Sequence, residues 1–224
     1  MTPDIIHLDN HLLVISKPAG MLSQSDETGD QDVVQWGKAY LKEKFNKPGN
    51  VFCGLVHRLD RPASGVMILA RTTKGAGRLA KAFADRKVEK EYMALVEGMP
   101  DEEGKAEDYL AKLKRQVRVV RETHPEAQHA VLNWKVIGYH SDQALISVKL
   151  ETGRSHQIRV QMSSRGWPLV GDLRYGAKTK FDGRNLALHA FKLELDHPTL
   201  KEKVSYTAPL PATWPSWCRE LTKR

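Results

Sequence analysis

Short apolar runs typical of β-strands outnumber helical patterns in this chain of 224 residues, and they occur in clusters. Strands are predicted where such runs are bounded by turn residues, namely at Leu12 to Ser16, Val66 to Ala70, Glu91 to Val96, Leu132 to Ile137, Ala144 to Leu150 and Leu186 to Leu195. Clustered strands without a regular β–α–β alternation favour an α+β fold with a mixed, mostly antiparallel sheet flanked by helices.

Three segments have the periodicity or the start signal of a helix. Apolar residues recur at helical spacing from Asp30 to Phe45, and a basic amphipathic helix is predicted from Lys74 to Lys87. Ser155 is predicted to cap a third helix that runs to about Arg165. The acidic stretch from Asp101 to Asp108 is interpreted as a surface loop. Since the chain contains no internal repeat and no low-complexity linker, residues 1–224 are predicted to form one domain.

The charge balance favours a polyanionic partner. The 35 Lys and Arg residues exceed the 27 Asp and Glu residues by 8, so nucleic acid is a better candidate than an acidic protein surface. Cys53 and Cys218 lack zinc-ligand spacing and favour a reducing compartment. No apolar stretch is long enough for a membrane helix, and Met1 to Asn10 contain no basic residue of the kind that opens a signal peptide. We therefore expect a cytoplasmic protein without a membrane partner.

The first chemically informative segment is a polar loop, His57 to Gly65, set between two apolar runs. Asp60 in this loop is flanked by Arg58 and Arg61, and nearby cations favour the ionised form of a carboxylate. Such a carboxylate suits nucleophilic or general-base work. On local sequence alone, an aspartate that merely shapes the turn through Ser64 is an equally good interpretation.

The second segment, Leu150 to Val160, is a turn that leads into a predicted helix. It carries Arg154 and Arg159 beside a helix start, where spare backbone N–H groups and guanidinium groups can bind an anion. A capped helix whose arginines are solvated is the alternative interpretation. No sequence motif for a metal or for a nucleotide cofactor accompanies either segment, so no cofactor is expected.

Together the two segments resemble the RluA-type family of RNA pseudouridine synthases. His57 to Asp60 followed by Ser64-Gly65 matches the central motif of the family, and Thr152 to Val160 matches its third motif. Further matches follow the order of the family at Lys17 to Gly20, Lys90 to Tyr92, Gly166 to Gly176 and Leu188 to Ala190. The resemblance covers about Ile5 to Pro209, which is nearly the whole chain.

Several positions depart from the family pattern. Ala63 stands where the family has Thr, and Gln161 and Trp167 stand where the family has His. These departures bear on the choice of RNA more than on the chemistry. The resemblance begins so near the first residue that we expect a lone catalytic domain, without the S4-type RNA-binding domain of many larger members.

The resemblance implies a fold with a central RNA-binding cleft and an isomerase that converts uridine in tRNA or rRNA to pseudouridine. The target base is flipped out of the RNA, and no metal or cofactor takes part. Asp60 is implied as the catalytic carboxylate, whether it attacks C1′ or removes the C2′ proton. Arg159 is implied to pair with that aspartate, Tyr92 to stack on the uracil, and Arg58 to fill the gap left by the flipped base.

The remaining expectations concern RNA contacts and assembly. The basic helix from Lys74 to Lys87 and the cationic run Lys112, Lys114, Arg115, Arg118 and Arg121 are candidate phosphate contacts, although either set of charges could simply be solvated. A monomer is the default assembly. The alternative function is a catalytically silent RNA-binding protein on the same fold.

Overall fold

The computed structural model describes residues 2–114 and 116–223. The regular elements, in chain order, are β1 (Asp4–Leu8), β2 (Leu12–Lys17), α1 (Val33–Lys44), β3 (Gly54–Leu55), β4 (Ser64–Ala70), α2 (Thr73–Ala84), β5 (Glu89–Glu97), β6 (Glu103–Leu113), β7 (Gln116–Val120), β8 (Gln128–His140), β9 (Gln143–Leu150), α3 (Gln157–Ser164), a 3₁₀ turn (Leu173–Tyr175), β10 (Leu188–Asp196), β11 (Lys203–Thr207) and α4 (Ser216–Leu221).

The chain divides into two compact units. The first comprises Met1–Val88 and Ala190–Ala208, and the second comprises Glu89–His189 and Pro209–Arg224. Both units combine strands with helices, which confirms the α+β class predicted from the clustered strands. The expectation that residues 1–224 form one domain stays a prediction.

The first unit is built on the buried strands β2 and β4. These strands pair antiparallel, with Leu13 opposite Leu69 and Ile15 opposite Met67, and all four side chains are fully buried. Strand β1 adds to β2 on the other side, and β11 adds to β10. Helix α1 begins where the Asp32 carboxylate accepts the N–H of Gln35, which satisfies a donor of the first helical turn.

The second unit contains a sheet in the order β5-β9-β8-β6-β7, in which neighbouring strands are antiparallel. The expectation of a loop from Asp101 to Asp108 is wrong, because β6 begins at Glu103 and pairs with β8. Within this stretch Ala106 is buried while the charged residues on either side of it are exposed. The period of two is that of a half-buried strand, and the acidic residues of its outer face concealed it.

Helix α3 follows a turn that the sequence predicted differently. Ser155 does not cap it, because the residue before the helix is His156, in the left-handed region with φ 53° and without a side-chain capping bond. The turn is held instead by Gln157, whose Oε1 accepts the N–H of Arg154 at 2.9 Å and the hydroxyl of Thr152 at 2.8 Å. Among the described residues, no helix is both long and apolar enough to cross a membrane.

Candidate active site

Asp60 lies in the loop between β3 and β4 of the first unit, and its side chain is half-buried. The Asp60 carbonyl accepts the N–H of Ala63 at 3.0 Å, which closes the turn in front of β4. The hydroxyl of Ser23 donates to the carbonyl of Leu59 at 2.7 Å and accepts the Leu59 N–H at 3.1 Å. The backbone on both sides of the carboxylate is therefore fixed by hydrogen bonds.

A buried lysine lies beneath the same loop. The fully buried ammonium group of Lys17 donates to the carbonyls of Pro18 at 3.0 Å, Met21 at 2.8 Å and Arg61 at 3.3 Å, so each of its three hydrogens has an acceptor. Burial lowers the pKa of Lys17 to about 7, although the negative charge of Asp60 opposes this shift. Lys17 therefore ties the turn that follows β2 to the residue that follows Asp60.

Arg61, the second arginine beside Asp60, contacts two segments outside its own loop. Its Nε donates to the carbonyl of Gly20 at 3.0 Å, and its guanidinium group forms an exposed ion pair with Asp30. Arg58 is exposed on the same loop. Arg61 thus fastens the Asp60 loop to neighbouring segments, while Arg58 stays accessible to a partner.

His57 helps to hold the loop to its surroundings. Its Nε2 accepts the N–H of Ile68 in β4 at 2.9 Å, and its ring stacks on Phe83 of α2 with centroids 4.5 Å apart. The accepting nitrogen carries no proton, so the imidazole in this geometry is neutral. His57 therefore has a structural role.

Gly65 allows the strand after the loop to approach β10. Its φ is +119°, and a Cβ added there would lie 2.2 Å from the carbonyl oxygen and 2.4 Å from the nitrogen of Ala190. Only glycine fits this conformation and this distance. The glycine of the central motif therefore has a packing reason that the sequence alone does not show.

Arg159 lies on α3 of the second unit, where it is buried. Its Nε is 2.6 Å from Oδ2 of Asp172 and its Nη2 is 2.9 Å from Oδ1, which is the two-point geometry of a strong guanidinium–carboxylate pair. The Cζ of Arg159 also lies 5.0 Å from the centre of the Tyr175 ring. The pairing with Asp60 that the resemblance implies joins residues of different units and stays a prediction.

Tyr92 lies on β5 of the second unit, half-buried, and opposite Val148 of β9. The sequence placed it on a strand, as observed. The sequence assigned no role to Lys17, Asp172 or Tyr175, although all three stand in motifs that it singled out. One signal was available, since Asp172 follows α3 closely and a carboxylate is a natural partner for an arginine on that helix.

No group of three or more His, Cys, Asp or Glu residues suited to a metal ion occurs in residues 2–114 and 116–223. Both cysteines are free and buried, and burial raises the pKa of the Cys53 thiol to about 11 and that of Cys218 to about 12. Neither thiol is therefore ionised at neutral pH.

Known proteins resemble this chain over most of its length. Residues 11–164 match the model of a family described as RNA pseudouridylate synthase. The ribosomal large subunit pseudouridine synthase D of Zymomonas mobilis is 34% identical over 93% of this chain and 69% of its own length. The tRNA pseudouridine synthase C of Vibrio parahaemolyticus is 32% identical over 98% of both chains. The structure of human RNA pseudouridylate synthase domain containing 4 superposes with a TM-score of 0.79, at 26% identity, over 93% of this chain and 89% of that chain.

Proposed function

The chain belongs to the family of RNA pseudouridine synthases, isomerases that convert uridine in RNA to pseudouridine, and we propose that Asp60 carries the chemistry of this reaction. The observation that supports this choice is the fixation of the Asp60 loop. Backbone hydrogen bonds and the buried Lys17 hold the loop from several sides, while the carboxylate itself remains half-buried. A group held in this way is preorganised for one position relative to a bound substrate.

The reaction breaks the N1–C1′ glycosidic bond of the target uridine, turns the uracil and joins C5 to C1′. The proton that leaves C5 passes to solvent, and N1 gains a proton, so the product is an isomer of the substrate. Ordinary glycosidases need a second carboxylate to protonate a departing group. Since the base is retained here, one carboxylate can suffice, acting either as a nucleophile at C1′ or as a base at C2′.

Three further residues are proposed to bind the substrate. Tyr92 offers the face of an aromatic ring on which a flipped uracil can stack. Arg58 is exposed next to Asp60 and can enter the gap that the flipped base leaves in the RNA. Arg159 supplies a guanidinium group, and its bidentate bond to Asp172 fixes the orientation of that group.

The RNA itself is proposed to contact the hairpin formed by β6 and β7. Lys112, Lys114, Arg118 and Arg121 are exposed there, and the first two border a cleft of about 590 Å³ that Gln128 also lines. Arg115, which belongs to the same run, lies outside the described residues.

On the second candidate surface, helix α2, two cations have partners within the first unit. Lys81 pairs with Asp85, and Arg78 donates to the carbonyl of Pro198. The hairpin is therefore favoured over α2 as the surface that neutralises phosphates.

The target is proposed to be a stem-loop of tRNA or rRNA, because relatives with this family's name act on each of these RNAs. A cytoplasmic location and a monomeric state are parts of the same proposal. The two free thiols support a reducing compartment. No cofactor enters the proposed reaction, since the isomerisation involves no net oxidation or reduction.

Tritium release from C5-labelled uridine tests the proposal. We expect the wild-type protein to release tritium from bulk tRNA or from bulk rRNA, and we expect Asp60→Asn to fold and bind RNA without releasing any. Asp60→Asn keeps the shape of the side chain and removes its charge. Retained turnover in that variant would exclude Asp60 as the catalytic group. RNA binding without tritium release by the wild type would favour the alternative of a silent RNA-binding protein.

A further inference from the structure

Tyr175 connects three parts of the second unit. Its hydroxyl oxygen accepts the backbone N–H of Val117 in β7 at 3.2 Å and lies 2.7 Å from Nδ1 of His156, the residue before α3. The face of its ring lies 5.0 Å from the guanidinium carbon of Arg159. One side chain thus contacts the β6–β7 hairpin, the start of α3 and the arginine proposed to bind the substrate.

The Tyr175 hydroxyl has two hydrogen-bond partners. Because the Val117 N–H can only donate, the tyrosine oxygen is its acceptor, and the tyrosine proton is free to point to His156. The Nδ1 of His156 lies 2.7 Å from the same oxygen and is the second hydrogen-bond partner of the hydroxyl. Burial raises the pKa of Tyr175, so the hydroxyl keeps its proton throughout the neutral range.

The turn that carries Tyr175 also carries the partner of Arg159. The Tyr175 N–H donates to the carbonyl of Asp172 at 2.9 Å, and Asp172 holds Arg159 through two hydrogen bonds. The Arg159 guanidinium is therefore held in its plane by a carboxylate and on one face by an aromatic ring, both from the same short segment. Movement of this segment moves both supports of the guanidinium group together.

Apolar packing joins the same segment to the hairpin. Leu110 of β6, Val117 of β7, Ala130 of β8 and Val160 of α3 form a buried cluster, and the Tyr175 ring packs against it. Hydrophobic packing is not directional, so apolar contacts alone do not fix the orientation of the ring. The hydrogen bond between the Tyr175 hydroxyl and Val117 fixes the ring relative to the hairpin.

We propose that Tyr175 is a positioning residue that ties the place of the Arg159 guanidinium to the place of the β6–β7 hairpin. The hairpin is the surface proposed above for RNA contact, and Arg159 is proposed there to bind the substrate, so this inference rests on the proposed function. Tyr175 thus keeps the Arg159 guanidinium at a fixed position relative to the β6–β7 hairpin.

Two substitutions separate the hydroxyl from the ring. Tyr175→Phe removes the bonds to Val117 and His156 and keeps the ring under Arg159, whereas Tyr175→Leu removes both. In single-turnover reactions at saturating RNA we expect Tyr175→Phe to lower the rate constant about tenfold, and Tyr175→Leu to lower it further. The dissociation constant of the RNA should stay within about twofold of the wild-type value for Tyr175→Phe, because the cations of the hairpin remain.

Tyr139→Phe is the matched control. The Tyr139 hydroxyl donates to the carbonyl of Pro100 at 2.7 Å, so this variant also loses one tyrosine hydrogen bond in the same unit. Its rate constant should equal that of the wild type. An equal fall in both Phe variants, or a wild-type rate for Tyr175→Phe, overturns the proposal. A merely structural role would lower the melting temperature and weaken RNA binding in step with the rate.

Hydrogen exchange of the RNA-free protein provides a test that needs no activity. In Tyr175→Phe the Val117 amide loses its acceptor, so we expect it to exchange about tenfold faster, together with the first turn of α3. Unchanged hydrogen exchange at the Val117 amide and in the first turn of α3 overturns the proposed positioning role of Tyr175. Absence of tritium release by the wild type, or release by Asp60→Asn, contradicts the proposed function instead. The hydrogen-exchange result then still tests the positioning role of Tyr175.

Discussion

Arg159 and Asp172 form a two-point ion pair in which the arginine side chain is 7% exposed and the aspartate side chain 1%. At this depth water solvates neither charge well, so the ion pair offsets part of the cost of burying both. The pair fastens α3 to the segment before Tyr175 and fixes the plane of the guanidinium group. A residue that the family resemblance assigns to the substrate site is therefore also part of the structural core of the second unit.

Asp172→Asn should destabilise the protein strongly, since it removes the negative charge that accepts two hydrogen bonds from the buried Arg159 guanidinium. We expect a loss of about 3–5 kcal/mol in the free energy of unfolding, measured by urea denaturation. The control is Asp85→Asn, which removes an exposed helical ion pair with Lys81 and should cost less than about 1 kcal/mol. Similar losses in the two variants would show that the buried pair contributes no more than a surface pair.

Two glycine substitutions separate a packing requirement from helix propensity. Gly65→Ala places a methyl group against the backbone of Ala190 in a left-handed conformation, so we expect poor solubility or a loss of several kcal/mol. Gly77→Ala, in the middle of α2, meets nothing within 4 Å and should raise stability by about 0.5–1 kcal/mol. Thermal unfolding of both variants measures the difference. A Gly65→Ala protein as stable as the wild type would contradict the assigned contact.

Much of the fold was predictable because buried strands carry continuous apolar runs. The run from Val66 to Ala70 is the core of β4, and Glu91 to Val96 lies within β5. Strand β6, which begins at Glu103 within the acidic stretch, was missed because charged residues fill its outer face. The cap of α3 was misplaced because the side chain that organises the turn is Gln157, inside the helix, rather than a residue in front of it.

The sequence indicates candidate residues for the site but not the partners of those residues. Motifs indicated Asp60 and Arg159 from residue types and order alone. Local sequence could not indicate that Arg61 turns toward Gly20 and Asp30, or that Lys17 lies beneath the loop. These contacts join residues more than 30 positions apart, and nothing in a short window of sequence specifies them.

Acid stability should depend on Asp9, which joins two ends of the first unit. Burial by itself would raise the pKa of Asp9, but hydrogen bonds from the side chains of His7 and His197 and from the backbone of His11 and Leu12 lower it to about 2. The ordinary value in an unfolded chain is 3.8. The ionised carboxylate therefore stabilises the folded state above about pH 4, and this contribution disappears as the pH falls to about 2.

We accordingly expect Asp9→Asn to be less stable than the wild type at pH 7, with a difference that shrinks between about pH 4 and pH 2. Urea denaturation at several pH values measures it. Asp4→Asn, which alters an exposed carboxylate on β1, is the control and should leave stability nearly unchanged at each pH. A difference for Asp9→Asn that stays constant down to pH 2 would show that the hydrogen bonds do not depend on the charge.

The role proposed for Tyr92 can be divided between ring and hydroxyl. Tyr92→Phe keeps the ring for stacking, so RNA affinity should be unchanged and any loss of rate reports on the hydroxyl. Tyr92→Leu removes the ring and should weaken binding of the flipped base by about 1–3 kcal/mol. Binding titrations and single-turnover rates distinguish the two effects. A Leu variant as active as the wild type would exclude stacking on Tyr92.

The salt dependence of RNA binding tests the β6–β7 hairpin. Each phosphate contact contributes about 0.7–0.9 to the slope of log K against log salt concentration, because neutralising a phosphate releases counterions. Replacing Lys112, Lys114, Arg118 and Arg121 by Gln should therefore weaken binding and reduce the slope by up to about 3. A Lys201→Gln, Lys203→Gln variant, with exposed cations at β11 and before it, is the matched control and should keep the wild-type slope.

A parallel set of substitutions in α2 decides between the two basic surfaces. Since Lys81 and Arg78 already have partners within the first unit, charge removal on α2 should change the slope less than charge removal on the hairpin. An unchanged slope for the hairpin variant, with a reduced slope for the α2 variant, would move the RNA path to the first unit. In that case Tyr175 would anchor a hairpin that the RNA does not touch, and the Asp60 loop would lie in the same unit as the phosphate contacts.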